Sequence, residues 1–339
     1  MDALFNINRQ KDFNSSKKLI IGSNIITMHF QNENSRDIFS RPFSHLAGEF
    51  EKKVYPQEST RESPDLEIFV IHDEEGKDPI PAWKKFEDDS SEDKKLIVYN
   101  KDGKHLLYNH ESKVLTGYDK NTKKAYYYIP RLDMLPYYEK AAPMRMIFHH
   151  FCEENSMTLV HGASVSINGK GILLIGSGGS GKTTTAISAA LNGFEYLGDD
   201  YVILNPKDRS IFSIYSSSKI RWESGKIVTG LENLAINSKD EDKGYFFMED
   251  QGKKIRKRST LGAVVIPRIG QGETTYSRIP SAKALLILSA STIFQMPGSG
   301  NRTLKDISKI LKDVPVFEMV LGRDTEKTNN KLEEIIKGL

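Results

Sequence analysis

The chain is short of cysteine, with a single residue, Cys152, in 339. That excludes an internal disulfide framework and fits a reducing compartment. It also lacks long apolar runs; none approaches the roughly 20 consecutive apolar residues of a membrane helix. The opening residues, Met1-Asp2-Ala3-Leu4-Phe5-Asn6, carry no basic segment followed by an apolar one, so no secretory signal is visible. These absences predict a cytoplasmic protein with no membrane partner. An excess of one charge is missing as well. Lys and Arg number 48 against 45 Asp and Glu, a net of +3, and the two signs are interleaved as on a solvated surface. Nucleic-acid binders carry a stronger basic excess, so no nucleic-acid partner is expected. What remains is a globular composition, 38 % hydrophobic and 27 % charged, in a chain long enough for two ordinary domains.

From Lys17 to about Pro130 the pattern is strand-like. Lys18 to Ile21, Ile25 to Phe30 and the alternating Leu66 to Ile71 are rich in branched residues. Leu96 to Tyr99 and His105 to Tyr108 flank Asn100-Lys101-Asp102-Gly103 and read as a hairpin. Lys113 to Tyr118 and Ala125 to Ile129 form a similar pair, while the polar stretch Asp73 to Asp93, interrupted by Pro79 and Pro81, reads as a loop. Met144 to Cys152 is then compatible with a helix entered after Pro143. The domain boundary is placed near residue 135, giving a β-rich N-terminal domain over 1–135 and a second domain over 136–339.

In that second domain Leu159 to Ile167 is strand-like, Asn168-Gly169-Lys170-Gly171 is a turn, and Gly171 to Ile175 is a short continuous apolar run, as a buried central strand would be. Directly after it, Gly176-Ser177-Gly178-Gly179-Ser180-Gly181-Lys182-Thr183 fits G-x-x-x-x-G-K-[ST]. Thr183 to Leu191 reads as a helix closed by Asn192-Gly193. Strand, glycine loop and helix suit the binding of nucleotide phosphates. Glycines let successive N–H groups turn inward, and the helix N-terminus adds donors and partial positive charge. Residues Gly176 to Thr184 are therefore candidates for nucleotide binding, with Lys182 reaching the β- and γ-phosphates and the Thr183 hydroxyl on Mg²⁺.

Further on, Tyr196 to Leu204 is strand-like but contains Asp199-Asp200. Alone, the pair reads as a turn between strands. Its spacing after the loop and helix brings it back beside the phosphates, where one acid can hold Mg²⁺ and the other can take the proton of an attacking hydroxyl. Neighbours in an extended chain point to opposite sides, which suits such a division. His161, from spacing alone, reads as structural. The basic cluster Lys253, Lys254, Arg256, Lys257 and Arg258 reads as a solvated loop, or as a patch for phosphates or an acidic peptide.

His161-Gly162, the loop Gly176 to Thr183 and Gly198-Asp199-Asp200, in that order and spacing, resemble the catalytic domain of the bacterial HPr kinase/phosphorylase family, of the phosphoenolpyruvate-carboxykinase-like branch of P-loop proteins. Ser216 to Trp222 is basic, where true HPr kinases carry a glycine-rich, acidic signature. The whole-chain pattern, with Ser291 to Gly298 and Val314 to Phe317 near its end, looks closer to HPr-kinase-related proteins that tailor peptides. The resemblance implies an α/β fold with a P-loop domain of the HPr-kinase/carboxykinase type behind the β-rich domain. It implies an ATP- and Mg²⁺-dependent kinase acting on a hydroxyl of a peptide, protein or small molecule. Lys182 would bind the transferred phosphate, Asp199 would be the base, and Thr183 and Asp200 would hold the metal, with the two aspartate roles open to reversal. His161 would be an active-site residue, and Arg268, or less directly Arg221, the downstream cation. A homo-oligomer is compatible with it. The alternative from another class is a nucleotide-dependent switch or partner-binding ATPase that phosphorylates no acceptor.

Overall fold

Alternation and turn chemistry shape the first part of the chain. The computed structural model describes residues 13–48, 63–72, 96–129, 131–133, 135–225, 228, 243–253, 255–297 and 300–339. The stretch from Asp73 to Asp93, Lys254 and Gly298 lie outside them. Two compact units result, Met1–Phe151 and Cys152–Leu339.

In the first unit, β1 (Ser15–Ile21) and β2 (Asn24–Phe30) form an antiparallel hairpin, and β3 (Leu66–His72) lies parallel to β2. Strands β4 (Leu96–Lys101), β5 (Lys104–Asn109), β6 (Leu115–Asp119) and β7 (Lys124–Ile129) form an antiparallel meander whose last member runs parallel to β3. The sheet order among the described residues is β1-β2-β3-β7-β6-β5-β4. The β4–β5 turn places both Asp102 (φ 52°) and Gly103 (φ 77°) in the left-handed region, as a type I′ hairpin requires. On one face Phe69, Ile71, Leu106, Leu115, Tyr126 and Tyr128 cluster. Helix α1 (Glu33–Ser40), which the strand-like reading of this region did not anticipate, is capped by Asn32, whose side chain accepts from the Ser35 N–H at 2.8 Å. Helices α2 (Tyr137–Ala141) and α3 (Arg145–Glu154) follow the sheet. The Tyr127 hydroxyl donates to buried Glu139 of α2 at 2.6 Å, and Phe148 of α3 meets Phe43 with ring centroids 5.3 Å apart. These contacts draw Glu139 and Phe148 into the first unit, so the division falls beyond the boundary read near residue 135.

The second unit is a mixed α/β assembly. Its strands are β8 (Thr158–His161), β9 (Ala163–Ile167), β10 (Lys170–Leu174), β11 (Glu195–Gly198), β12 (Tyr201–Leu204), β13 (Ser210–Phe212), β14 (Ser217–Arg221), β15 (Lys243–Phe247), β16 (Arg258–Ile269), β17 (Thr275–Ile279) and β18 (Val316–Leu321). The main sheet runs β11-β9-β10-β16-β13-β12-β8, with β18 parallel to the far half of β16 and β17 antiparallel to β18. Strand β10 pairs parallel with β16. Beyond exposed Lys170 it is buried from Gly171 to Leu174, with both faces covered. Leu173, Val264 and Ile266 pack against α5 (Ser281–Gln295) and α6 (Asn301–Leu311) through Leu288 and Ile307. Ile172, Leu174 and Val265 pack against α4 (Lys182–Leu191) and α7 (Thr325–Lys337) through Ala186, Ala189, Leu332 and Ile335. The separate β14–β15 ribbon packs Ile220 and Phe246 against Ile187 and Ala190 of α4. Among the described residues no helix is long and apolar enough to cross a membrane.

Candidate functional site

The glycine motif forms the loop between β10 and α4. Gly176 (φ 153°), Gly179 (φ 80°) and Gly181 (φ 101°) all take left-handed backbone angles that other residues adopt only under strain. At Gly181 there is also no room: a Cβ would run into Leu321 Cδ1. No side chain caps the N-terminus of α4, which leaves that end of the helix dipole to a ligand. Buried Lys182 folds back across the loop and donates to the carbonyls of Gly176 (2.8 Å) and Ser177 (3.1 Å). Burial lowers its pKa, against the pull of Asp199 and Asp200.

The acids come from an interruption that two neighbouring chains share. Segments β8–β9 and β11–β12 run side by side, with His161 opposite Tyr201 and Ser164 opposite Gly198. Both are broken at the same level, one at Gly162 and the other at Asp199-Asp200, and the Gly162 N–H donates to the Asp200 carbonyl at 3.0 Å. The pair is therefore not in an extended chain, as its strand-like surroundings suggested. Asp200 sits at φ 62°, a conformation that aspartate tolerates better than most residues. The two carboxylates do reach different partners. Asp199, 3 % exposed, accepts from the Thr183 hydroxyl (2.8 Å), the Ser218 hydroxyl (2.9 Å) and the Lys219 N–H (3.2 Å). Asp200 forms an ion pair with the Lys219 ammonium.

Burial and the neighbouring Asp200 charge push Asp199 up to about 6, against its three hydrogen bonds. For Asp200, burial is outweighed by Lys219 and then His161, which bring it down to about 2. Lys219 is correspondingly raised, the charge of Asp200 outweighing burial. His161 is lowered to about 4, chiefly by burial, with the pull of Asp200 opposed by Lys182 and Lys219, so the ring is neutral at neutral pH. Its backbone N–H is held by the Thr292 hydroxyl at 3.1 Å, and its buried Nδ1 has no hydrogen-bond partner.

The structure thus brings His161, Lys182, Thr183, Asp199 and Asp200 together. Ser218 and Lys219 join them, although the sequence singled them out only as part of a basic stretch. A pocket of about 110 Å³ lies over residues 179–184 and is lined by Lys219, Arg221 and Lys243. A wider cleft of about 800 Å³ touches residues 176–180 and His161 and carries Arg268, Lys283 and Phe294. The two candidate arginines therefore line different pockets. Much of the basic cluster is engaged within the unit: Arg256 pairs with Glu195 and Arg258 with Asp208, each at 2.9 Å.

No family model matches the chain, and no curated protein matches it. Among solved structures, the Hpr(Ser) kinase/phosphatase from Coxiella burnetii is similar over 53 % of this chain and 95 % of that one, at 10 % identity and a TM-score of 0.26.

Proposed function

We propose that the chain is an ATP-dependent phosphotransferase that moves the γ-phosphate to a hydroxyl of a peptide, protein or small molecule. The observation that carries this reading is the bond from the Thr183 hydroxyl to buried Asp199, at the uncapped start of α4 behind a loop of left-handed glycines. A hydroxyl and a carboxylate oxygen side by side are hard donors of the kind Mg²⁺ takes. Thr183 and Asp199 would hold that ion, whose part when bound is to neutralise charge on the β- and γ-phosphates. Of the two orders left open by the sequence, contact with Thr183 favours Asp199 as the metal's acid and leaves Asp200 for the acceptor.

The remaining roles belong to the chain itself. Residues 176–184 cradle the phosphates through their N–H groups. Lys182 exchanges the Gly176 and Ser177 carbonyls for phosphate oxygens. Asp200 orients the attacking hydroxyl and accepts its proton. In a loose transition state little charge builds on the nucleophile, so orientation counts for more than basicity and a low carboxylate pKa is no obstacle. Neutral His161 beside Asp200 adds no competing charge, and Arg221 and Arg268 are the cations available to the phosphoryl group. Incubation with γ-labelled ATP and cell extract tests the proposal. Label on an acceptor, lost in Lys182→Met, is expected; label released only as free phosphate would turn the reading to a nucleotide-dependent switch or ATPase.

A further inference from the structure

Two adjacent carboxylates beside a nucleotide's phosphates could take two divalent cations. We propose that this site takes one, because the ammonium of Lys219 fills the second cation position, on Asp200. The inference rests on the phosphotransferase reading and concerns the site's metal stoichiometry.

Lys219 is not a wandering surface lysine. Its side chain is 14 % exposed and that of Asp200 20 %. The residue is fixed in the middle of β14 by pairing with Tyr245 of β15. The next residue, Ile220, packs with Phe246 against α4, the helix that starts at Lys182. The framework that presents Lys182 and Thr183 to the phosphates therefore also presents Lys219 to the acids. From this one strand Ser218 and the Lys219 N–H satisfy Asp199 Oδ2, leaving Oδ1 to Thr183, and the Lys219 ammonium takes Asp200.

The acids are thus already divided. Asp199 faces the hydroxyl that suits a metal, and Asp200 faces a permanent cation. A second divalent ion on Asp200 would have to displace this largely covered ammonium or sit against it, and charge repulsion opposes the latter while loss of the ion pair opposes the former. Positive charge is not short there, since Lys182, Lys219, Arg221 and Lys243 line the same small pocket. An ammonium is a point charge with three donors. One donor on Asp200 leaves others for a phosphate oxygen, which makes Lys219 a positioning residue that ties Asp200 to the phosphoryl group.

Counting Mn²⁺ per chain tests this, by loss of the free-ion EPR signal when the full-length protein is titrated with a non-hydrolysable ATP analogue present. One ion is expected for the wild type and for Lys219→Arg, which keeps the charge. Two are expected for Lys219→Glu, where a carboxylate replaces the ammonium beside Asp200. Lys219→Met serves if the Glu variant does not fold; it should admit a second ion with weaker affinity. Two ions on the wild type, or only one on both Lys219→Glu and Lys219→Met, would overturn the proposal and leave the phosphotransferase reading standing. No ion on a wild type that holds the nucleotide would remove both.

Discussion

The two sheets handle charge in opposite ways. Among the described residues of the first unit the pairings run without register breaks, and two buried acids are met by neutral groups: Glu139 by the Tyr127 hydroxyl at 2.6 Å, Asp119 by the Asn121 N–H at 2.9 Å. In the second unit one ribbon is broken in both chains at the same level, and five titratable groups converge there: His161, Lys182, Asp199, Asp200 and Lys219. The difference teaches where chemistry can sit on a sheet. An unbroken ladder alternates its side chains between two faces and leaves no opening for a cluster of charges. An interruption turns the chain out of register and aims carboxylates along the sheet, here toward the start of α4.

The sharpest way to break the comparison is Lys182→Met. It should cut phosphoryl transfer by about a thousandfold or more while circular dichroism and thermal melting show the fold retained; transfer near the wild-type rate would mean that the loop is only a turn. Gly181→Val attacks the framework of the same region. A left-handed valine pressed against Leu321 should destabilise the second unit by about 2–5 kcal/mol, read by urea unfolding, and a loss under about 0.5 kcal/mol would show that Leu321 yields freely. Tyr127→Phe leaves Glu139 without that donor and should cost about 1–3 kcal/mol in the first unit, with transfer unchanged. Asn32→Ala removes the cap of α1 for about 1 kcal/mol, again without effect on transfer. If either of these last two slowed transfer, the separation of labour between the sheets would be wrong.

The sequence made the strands of the first unit legible because short runs of branched residues stand between turn signals. Leu66 to Ile71, read as alternating, is instead buried at four consecutive positions from Ile68 to Ile71, as suits a strand flanked on both sides. The order of the strands was not legible, since the pairing of β3 with β7 joins residues far apart in the chain. Helix α1 escaped notice because it is short and polar, and its one signal is the cap at Asn32. At the site, the glycine motif and, by its distance from that motif, the acid pair were readable through local spacing; His161 read as structural by spacing and was singled out only by the resemblance. Ser218 and Lys219 were not. Their ribbon meets the acids through tertiary packing of Ile220 and Phe246 on α4, and no fixed spacing links them to the loop. The break between β11 and β12 was legible, since the acid pair alone reads as a turn between strands, but the left-handed backbone of Asp200 was not, because it depends on the neighbouring break at Gly162.

The central claim, that the broken ribbon and the glycine loop together make a nucleotide site, is tested most directly by calorimetric titration with a non-hydrolysable ATP analogue, with and without Mg²⁺. The account predicts binding by the wild type that Mg²⁺ strengthens, loss of the Mg²⁺ dependence in Thr183→Ala, and loss of binding in Lys182→Met. No binding by a folded wild type, or equal binding by Lys182→Met, would contradict it.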